Sequence, residues 1–331
     1  MRFAPARTLP SRLAPLLLAV LFAAGAGVRA AHADEPDYSG WQALLSKYTR
    51  VVHEKGKPWD SRFDYGQLFI DEGIWKTHQS AALSALHTQL LAASPADMTP
   101  AERTAWAINV YNFLVIERMT MNLLVPGHKF QRFDSPHQLH GDDGSFFGAR
   151  IVMVDGTKYS LVGLERRFVY GDTSADPGAD ESPVRDKPGD PRLMFAVCKA
   201  SYGTGPLMPW VWRSDSLEAQ LNLATRRALA LPRYVQANEA TGELVATNRF
   251  FEERADFGGP DLPGLVPFLK KYGTPATQRL IAARKLTKAS RFFEPDWKLN
   301  YFEPPKAKLP GAADSTATKT ATKSAPGSKT P

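Results

Sequence analysis

The sequence predicts an α+β domain: a small mixed sheet packed by several helices, in a single unit running from about Tyr38 to Tyr301. Three observations carry this expectation. Stretches with helical spacing recur along the chain, and one has a complete start signal. Two pairs of short β-prone runs flank turn-forming residues. Helices and strands follow one another without a regular strand–helix–strand rhythm, and there is no internal repeat and no second core after a linker.

In chain order, WQALLSKYTRVVH (41–53) and SAALSALHTQLLAA (80–93) space their apolar residues as amphipathic helices do. The next helix is the clearest. Thr99 is a suitable N-cap, Pro100 occupies the first helical position and Glu102 stands three residues after Thr99, so a capping box should open a helix reaching about Met121. ARIVMVD and KYSLVG then flank Asp155-Gly156-Thr157 as a hairpin, and GLERRFVYG reads as a short helix. Residues 172–190 form a polar loop rich in proline and glycine, long enough to be a lid or a disordered insertion. RLMFAVC (192–198) reads as a buried strand. SLEAQLNLATRRALAL (216–231) reads as a helix capped by Ser214 or Ser216. YVQAN and ELVATN form a second hairpin around Glu239-Ala240-Thr241-Gly242, helices follow near 249–256, 262–272 and 275–285, and SRFFEPDW supplies a last strand.

The two ends read differently. Arg2, Arg7 and Arg12 precede an apolar run at 13–28, and Ala31-His32-Ala33 fits a cleavage site, so residues 1–33 read as a secretory signal and the chain as periplasmic or secreted. The apolar run is short for a span, so no transmembrane anchor is expected once the signal is removed. Residues 305–331, rich in Ala, Thr, Ser, Lys and Pro, read as a disordered basic tail. The formal charge of +7 resides in these ends. Residues 1–33 carry four arginines and no acid, and the tail carries five lysines against Asp314; removing both leaves −1 for the body at 34–304. A near-neutral body offers no footprint for nucleic acid. The single cysteine excludes an internal disulfide, so burial alone must hold the fold.

Few residues suggest chemistry. Asn109 and Asn112, with Tyr111 between them, share a face of the long helix. They either tie that helix to a neighbouring backbone or contact a ligand. Cys198 would be a nucleophile only if a helix terminus, a histidine or a cation lowered its pKa; otherwise it is small core packing. His137, His140, Asp142 and Asp143 lie close in sequence but lack the spacing of a specific metal motif, and neither a metal nor another cofactor is expected. Asp190 and Arg192 can pin the long loop as an ion pair.

With these stretches in view, the chain resembles the bacterial and plant family known as domain of unknown function 547. The landmarks are Phe63-Asp64-Tyr65, AWAINVYNFLVI (105–116), YSLVGLERRFV (159–169), DPRLMFAVCKASYGTGPL (190–207), SLEAQL (216–221) and FFEPDWKLN (292–300), together covering roughly 45–302. The family has no established activity. Its loop cysteines fall on Lys199 and Thr204, and its histidine after Glu165 falls on Arg166. A cysteine and histidine there would suit thiol chemistry, by analogy with papain-like folds.

Three functions follow. The first is a non-catalytic domain binding a small anion or a cell-envelope component through a degenerate, cationic cleft, with Arg166, Lys199, Thr204, Asn109, Asn112, Tyr111 and Arg192 as candidate ligand contacts. The second is a thiol hydrolase or transferase using Cys198 with His128 or His140, Thr204 and Glu165 being the other candidate catalytic side chains. The third is a structural envelope protein engaging its surroundings through the tail.

Overall fold

The computed structural model describes residues 35–52, 55–124, 131–141, 144–179, 185 and 187–303. The signal segment, the tail and the stretch holding His128 lie outside them.

The chain opens with helix α1 (Ser39–Tyr48), which ends before a hairpin of β1 (Thr49–Val52) and β2 (Asp60–Phe63). The helix expected to reach residue 53 therefore stops at 48. Thr49, Val51 and Val52 are β-branched and favour the strand. Short helices α2 (Tyr65–Asp71) and α3 (Ile74–Thr77) precede α4 (Ala81–Leu91), capped by Ser80.

Helix α5 (Pro100–Met121) is the axis of the fold. Its capping box forms as the sequence predicts: Glu102 N donates to Thr99 Oγ1 at 3.3 Å, and Thr99 N donates to Glu102 Oε2 at 2.8 Å. Residues 105–116 are buried on every side, as expected of a helix enclosed by its neighbours.

Two hairpins follow, β3 (His140–Gly141) with β4 (Gly144–Ser145) and β5 (Val152–Val154) with β6 (Thr157–Tyr159). Asp155 and Gly156 both adopt positive φ in the second turn, the geometry an Asp-Gly pair accepts. Helix α6 (Leu161–Leu164) is capped by Ser160 and widens into one π turn at Glu165–Val169. Gly163 admits the following loop, since a Cβ there would lie 2.1 Å from Pro177 O.

Leu193–Phe195 form a 3-10 turn rather than the strand expected over 192–198. Residues 193–198 are all buried, and a short continuous apolar run has no periodicity to separate strand from turn. Helix α7 (Leu217–Leu229) starts after Ser216, whose side chain makes no capping bond. The mixed sheet consists of β7 (Val235–Asn238) and β8 (Glu243–Thr247), antiparallel, with β9 (Arg291–Phe293) added parallel to β8. Between them lie α8 (Arg249–Glu252), a 3-10 turn at Arg254–Phe257, α9 (Leu265–Tyr272) and α10 (Pro275–Arg284).

Burial divides into two apolar clusters. The larger surrounds α5 and includes residues of α1, α2, α4 and α6; the smaller joins the mixed sheet to α9 and α10. They meet along 193–198. Leu193, Ala196, Val197 and Cys198 face the first, while Met194 and Phe195 enter the second, where Phe195 stacks on Phe268 at a centroid distance of 6.3 Å. Among the described residues, no helix is long and apolar enough to cross a membrane.

Candidate functional site

The loop after this seam is fixed from two sides. From the α5 side, Asn112 donates to Ala196 O at 3.0 Å and accepts from Cys198 N at 2.7 Å. Asn109 treats Trp212 in the same way, donating to its O at 2.8 Å and accepting from its N at 2.9 Å. Each carboxamide thus replaces a strand partner for a segment that has none. From the other side, the chain end laces across the loop: Tyr202 N donates to Lys298 O, Gly203 N to Asp296 O and Asn300 N to Ala200 O, all within 3.0 Å. Ala200 is forced to φ 54° and is fully buried, a strained backbone directly after Lys199. Gly205 leaves room for the turn, because a Cβ there would meet Phe195 O at 2.7 Å.

These constraints present Lys199 to a cavity of about 120 Å³ at the seam. One wall comes from the α6 π turn, with Glu165, Arg166 and Tyr170, and from Val162 and Phe147. The opposite wall comes from α8 and its flank, with Arg249, Glu252 and Glu253. Arg185, His137 and Trp297 close the remaining sides. Within hydrogen-bond reach, Lys199 Nζ stands 2.9 Å from Glu165 Oε2. Arg249 Nη1 pairs with Glu252, and Arg185 pairs with Glu253 at 3.2 Å and with Asp256. The guanidinium of Arg185 also lies 3.7 Å above the centre of the Tyr170 ring. The His137 and Trp297 rings meet edge to face at 4.6 Å.

Electrostatics in this wall follow burial. The Tyr111 hydroxyl lies beside Glu165; burial, then the nearby carboxylate, push its pKa well above 10, and neither it nor Glu165 Oε1 completes a well-formed hydrogen bond among the described residues. Burial, then Glu253 and Glu165, do the same to Tyr170. Burial raises the Asp256 carboxyl, with Arg185 opposing.

Cys198 is not in the cavity lining. It is 3% exposed, and burial pushes its thiol up to about 11. The described histidines stand elsewhere: His78 is exposed at the end of α3, His87 bonds Glu117, His137 is in the cavity wall and His140 is exposed on β3. Among the described residues, a thiolate nucleophile at Cys198 has neither the lowered pKa nor the imidazole it needs; His128 lies outside them.

Several expected contacts also lie away from the cavity. Thr204 is buried, with its hydroxyl accepting from Lys199 N at 3.1 Å and donating to Ser201 O at 3.1 Å, so it shapes the turn. Asn109 and Asn112 spend both amide ends on backbone, and Tyr111 is fully buried behind Glu165. Arg192 binds Asp190, Glu218 and Asn222 beside a separate concavity at α7 and α9. The structure brings together Glu165, Arg166 and Lys199 from the sequence candidates and adds Arg185, Arg249, Glu252, Glu253, His137 and Trp297. Of these, Trp297 had a signal as part of the landmark FFEPDWKLN and His137 as part of the His/Asp-rich stretch; the others had none.

Among the described residues, no group of three or more His, Cys, Asp or Glu side chains could hold a metal ion. Asp142 and Asp143 lie outside them.

Comparisons with curated proteins and with solved structures return no match. The family comparison does. Residues 95–228 match the model described as "Protein of unknown function, DUF547", a narrower span than the sequence landmarks suggested.

Proposed function

We propose that this chain is an exported, non-catalytic binding domain whose seam cavity takes a small anionic ligand. One observation carries the reading: the two positions at which the resemblance places a cysteine and a histidine, Lys199 and Arg166, line the same cavity, and both now bear positive charge. Four cationic side chains line it against three carboxylates. A carboxylate or phosphate group would meet charge-assisted donors there. The inert setting of Cys198 weighs against the thiol-enzyme reading. Export is supported by the arginine-flanked apolar segment ahead of Ala31-His32-Ala33.

The test is a thermal-shift screen of anionic metabolites and cell-wall fragments on the wild type and on Arg166→Ala. Stabilisation of the wild type that is lost in the variant is the expected result. Equal shifts in both proteins, or a turnover abolished by Cys198→Ser, would overturn the reading. N-terminal sequencing of the protein recovered from a periplasmic extract should begin at Asp34.

A further inference from the structure

We infer that the ligand of the seam cavity is a short-chain monocarboxylic acid of about three to five carbons. This rests on the anion-binding reading above and narrows it. Three features select the class.

The first is the balance of unused hydrogen-bonding capacity. Lys199 Nζ has one ion-pair partner among the described residues, Glu165, while an ammonium has three donors. Arg249 Nη2 makes no hydrogen bond among the described residues; its nearest carboxylate oxygen, on Glu253, is 3.9 Å away. On the acceptor side, Glu252 and Glu253 are engaged by Arg249 and Arg185, and Glu165 holds Lys199 through Oε2, leaving Oε1 as one open acceptor against the spare N–H groups of Lys199 Nζ and Arg249 Nη2. Donors are in surplus, so the head group is an acceptor.

The second feature is the apolar part of the wall. Phe147 and Val162 are buried beside the cavity, and Trp297 covers it from the chain end. A phosphate or sulfate ion, polar on every side, would leave these surfaces facing oxygen. A hydrocarbon tail covers them and is stabilised by the apolar area it takes out of water. The third is size. About 120 Å³ holds roughly four water-sized groups at ~30 Å³ each, which matches a carboxylate and two or three methylenes.

The experiment titrates the full chain by calorimetry with the sodium salts of acetate, propionate, butyrate and octanoate, with phosphate and sulfate, and with butylamine. Kd should fall about fourfold per added methylene from acetate to butyrate, the equivalent of ~0.8 kcal/mol each, and octanoate should bind more weakly than butyrate. Val162→Ala, which enlarges the cavity by two methylene-sized groups, should move the optimum to a longer acid, and Lys199→Gln should weaken every acid by about tenfold. Phosphate or sulfate binding as tightly as butyrate, or acids binding without length dependence, overturns the inference and leaves the anion reading standing. Butylamine binding in place of the acids, or no anion binding at all, overturns both. An unchanged length optimum in Val162→Ala removes the hydrocarbon from this wall and overturns the inference.

Discussion

Lys199 Nζ and Glu165 Oε2 stand 2.9 Å apart across the cavity wall, joining the 193–205 loop to the α6 π turn. The carboxylate side chain is 5% exposed and the lysine 17%. Attraction in such a pair does little more than offset desolvation, but removing one partner strands the other charge. Lys199→Met should therefore destabilise the protein by about 2–4 kcal/mol, since Glu165 keeps its burial and loses its counter-charge. The double variant Lys199→Met/Glu165→Leu should recover part of that loss. Urea unfolding of the four proteins measures it, and strictly additive effects would mean that the pair does not interact.

The neighbouring Cys198 points the other way. With 3% exposure and a thiol raised to about 11, it should react with a small disulfide reagent at pH 7.5 only as fast as the protein opens. Lys199→Cys in a Cys198→Ala background puts a thiol on the cavity wall, and it should react at least a hundredfold faster than Cys198 does in the wild type. Equal rates would place Cys198 at an accessible surface.

This contrast between adjacent residues shows how far the sequence could be read. The capped α5, both expected hairpins and the last strand were legible because caps, turn residues and alternation are local. The 193–198 run was misread as a strand because its partner is a side chain, Asn112, 84 and 86 residues away, which no local pattern reveals. Glu165, Arg166 and Lys199 could be grouped because each sits in a landmark stretch. Arg185 and Arg249 could not: an arginine in a polar loop and an arginine after a strand look like solvated surface until folding buries them against Glu252, Glu253 and Asp256.

Asn112 bears directly on that seam. In Asn112→Leu, Cys198 N and Ala196 O would lose their partners inside the core, where each unsatisfied group costs about 1–3 kcal/mol. The variant should lose about 2–4 kcal/mol, and any bound anion should be released, because the backbone that aims Lys199 is no longer held. Asn109→Leu should cost a similar amount through Trp212 while leaving anion affinity unchanged, since its segment does not approach the cavity. Denaturant unfolding paired with ligand titration separates the two outcomes.

Away from the cavity, His87 on α4 contacts Glu117 on α5, Nδ1 to Oε2 at 2.7 Å. The hydrogen bond to Glu117 raises the imidazole pKa, with burial opposing. A folded-state pKa above the unfolded value means that protonation favours the folded chain. The contribution is full below the unfolded pKa of about 6.5 and disappears as pH rises through the higher folded value. The side chain is 36% exposed, so solvent screens the pair and the effect is small. Wild type should melt about 1–2 °C above His87→Gln at pH 5.5, with the gap closing by pH 9. A gap that widened with pH would mean that the imidazole is held neutral, with burial outweighing the glutamate.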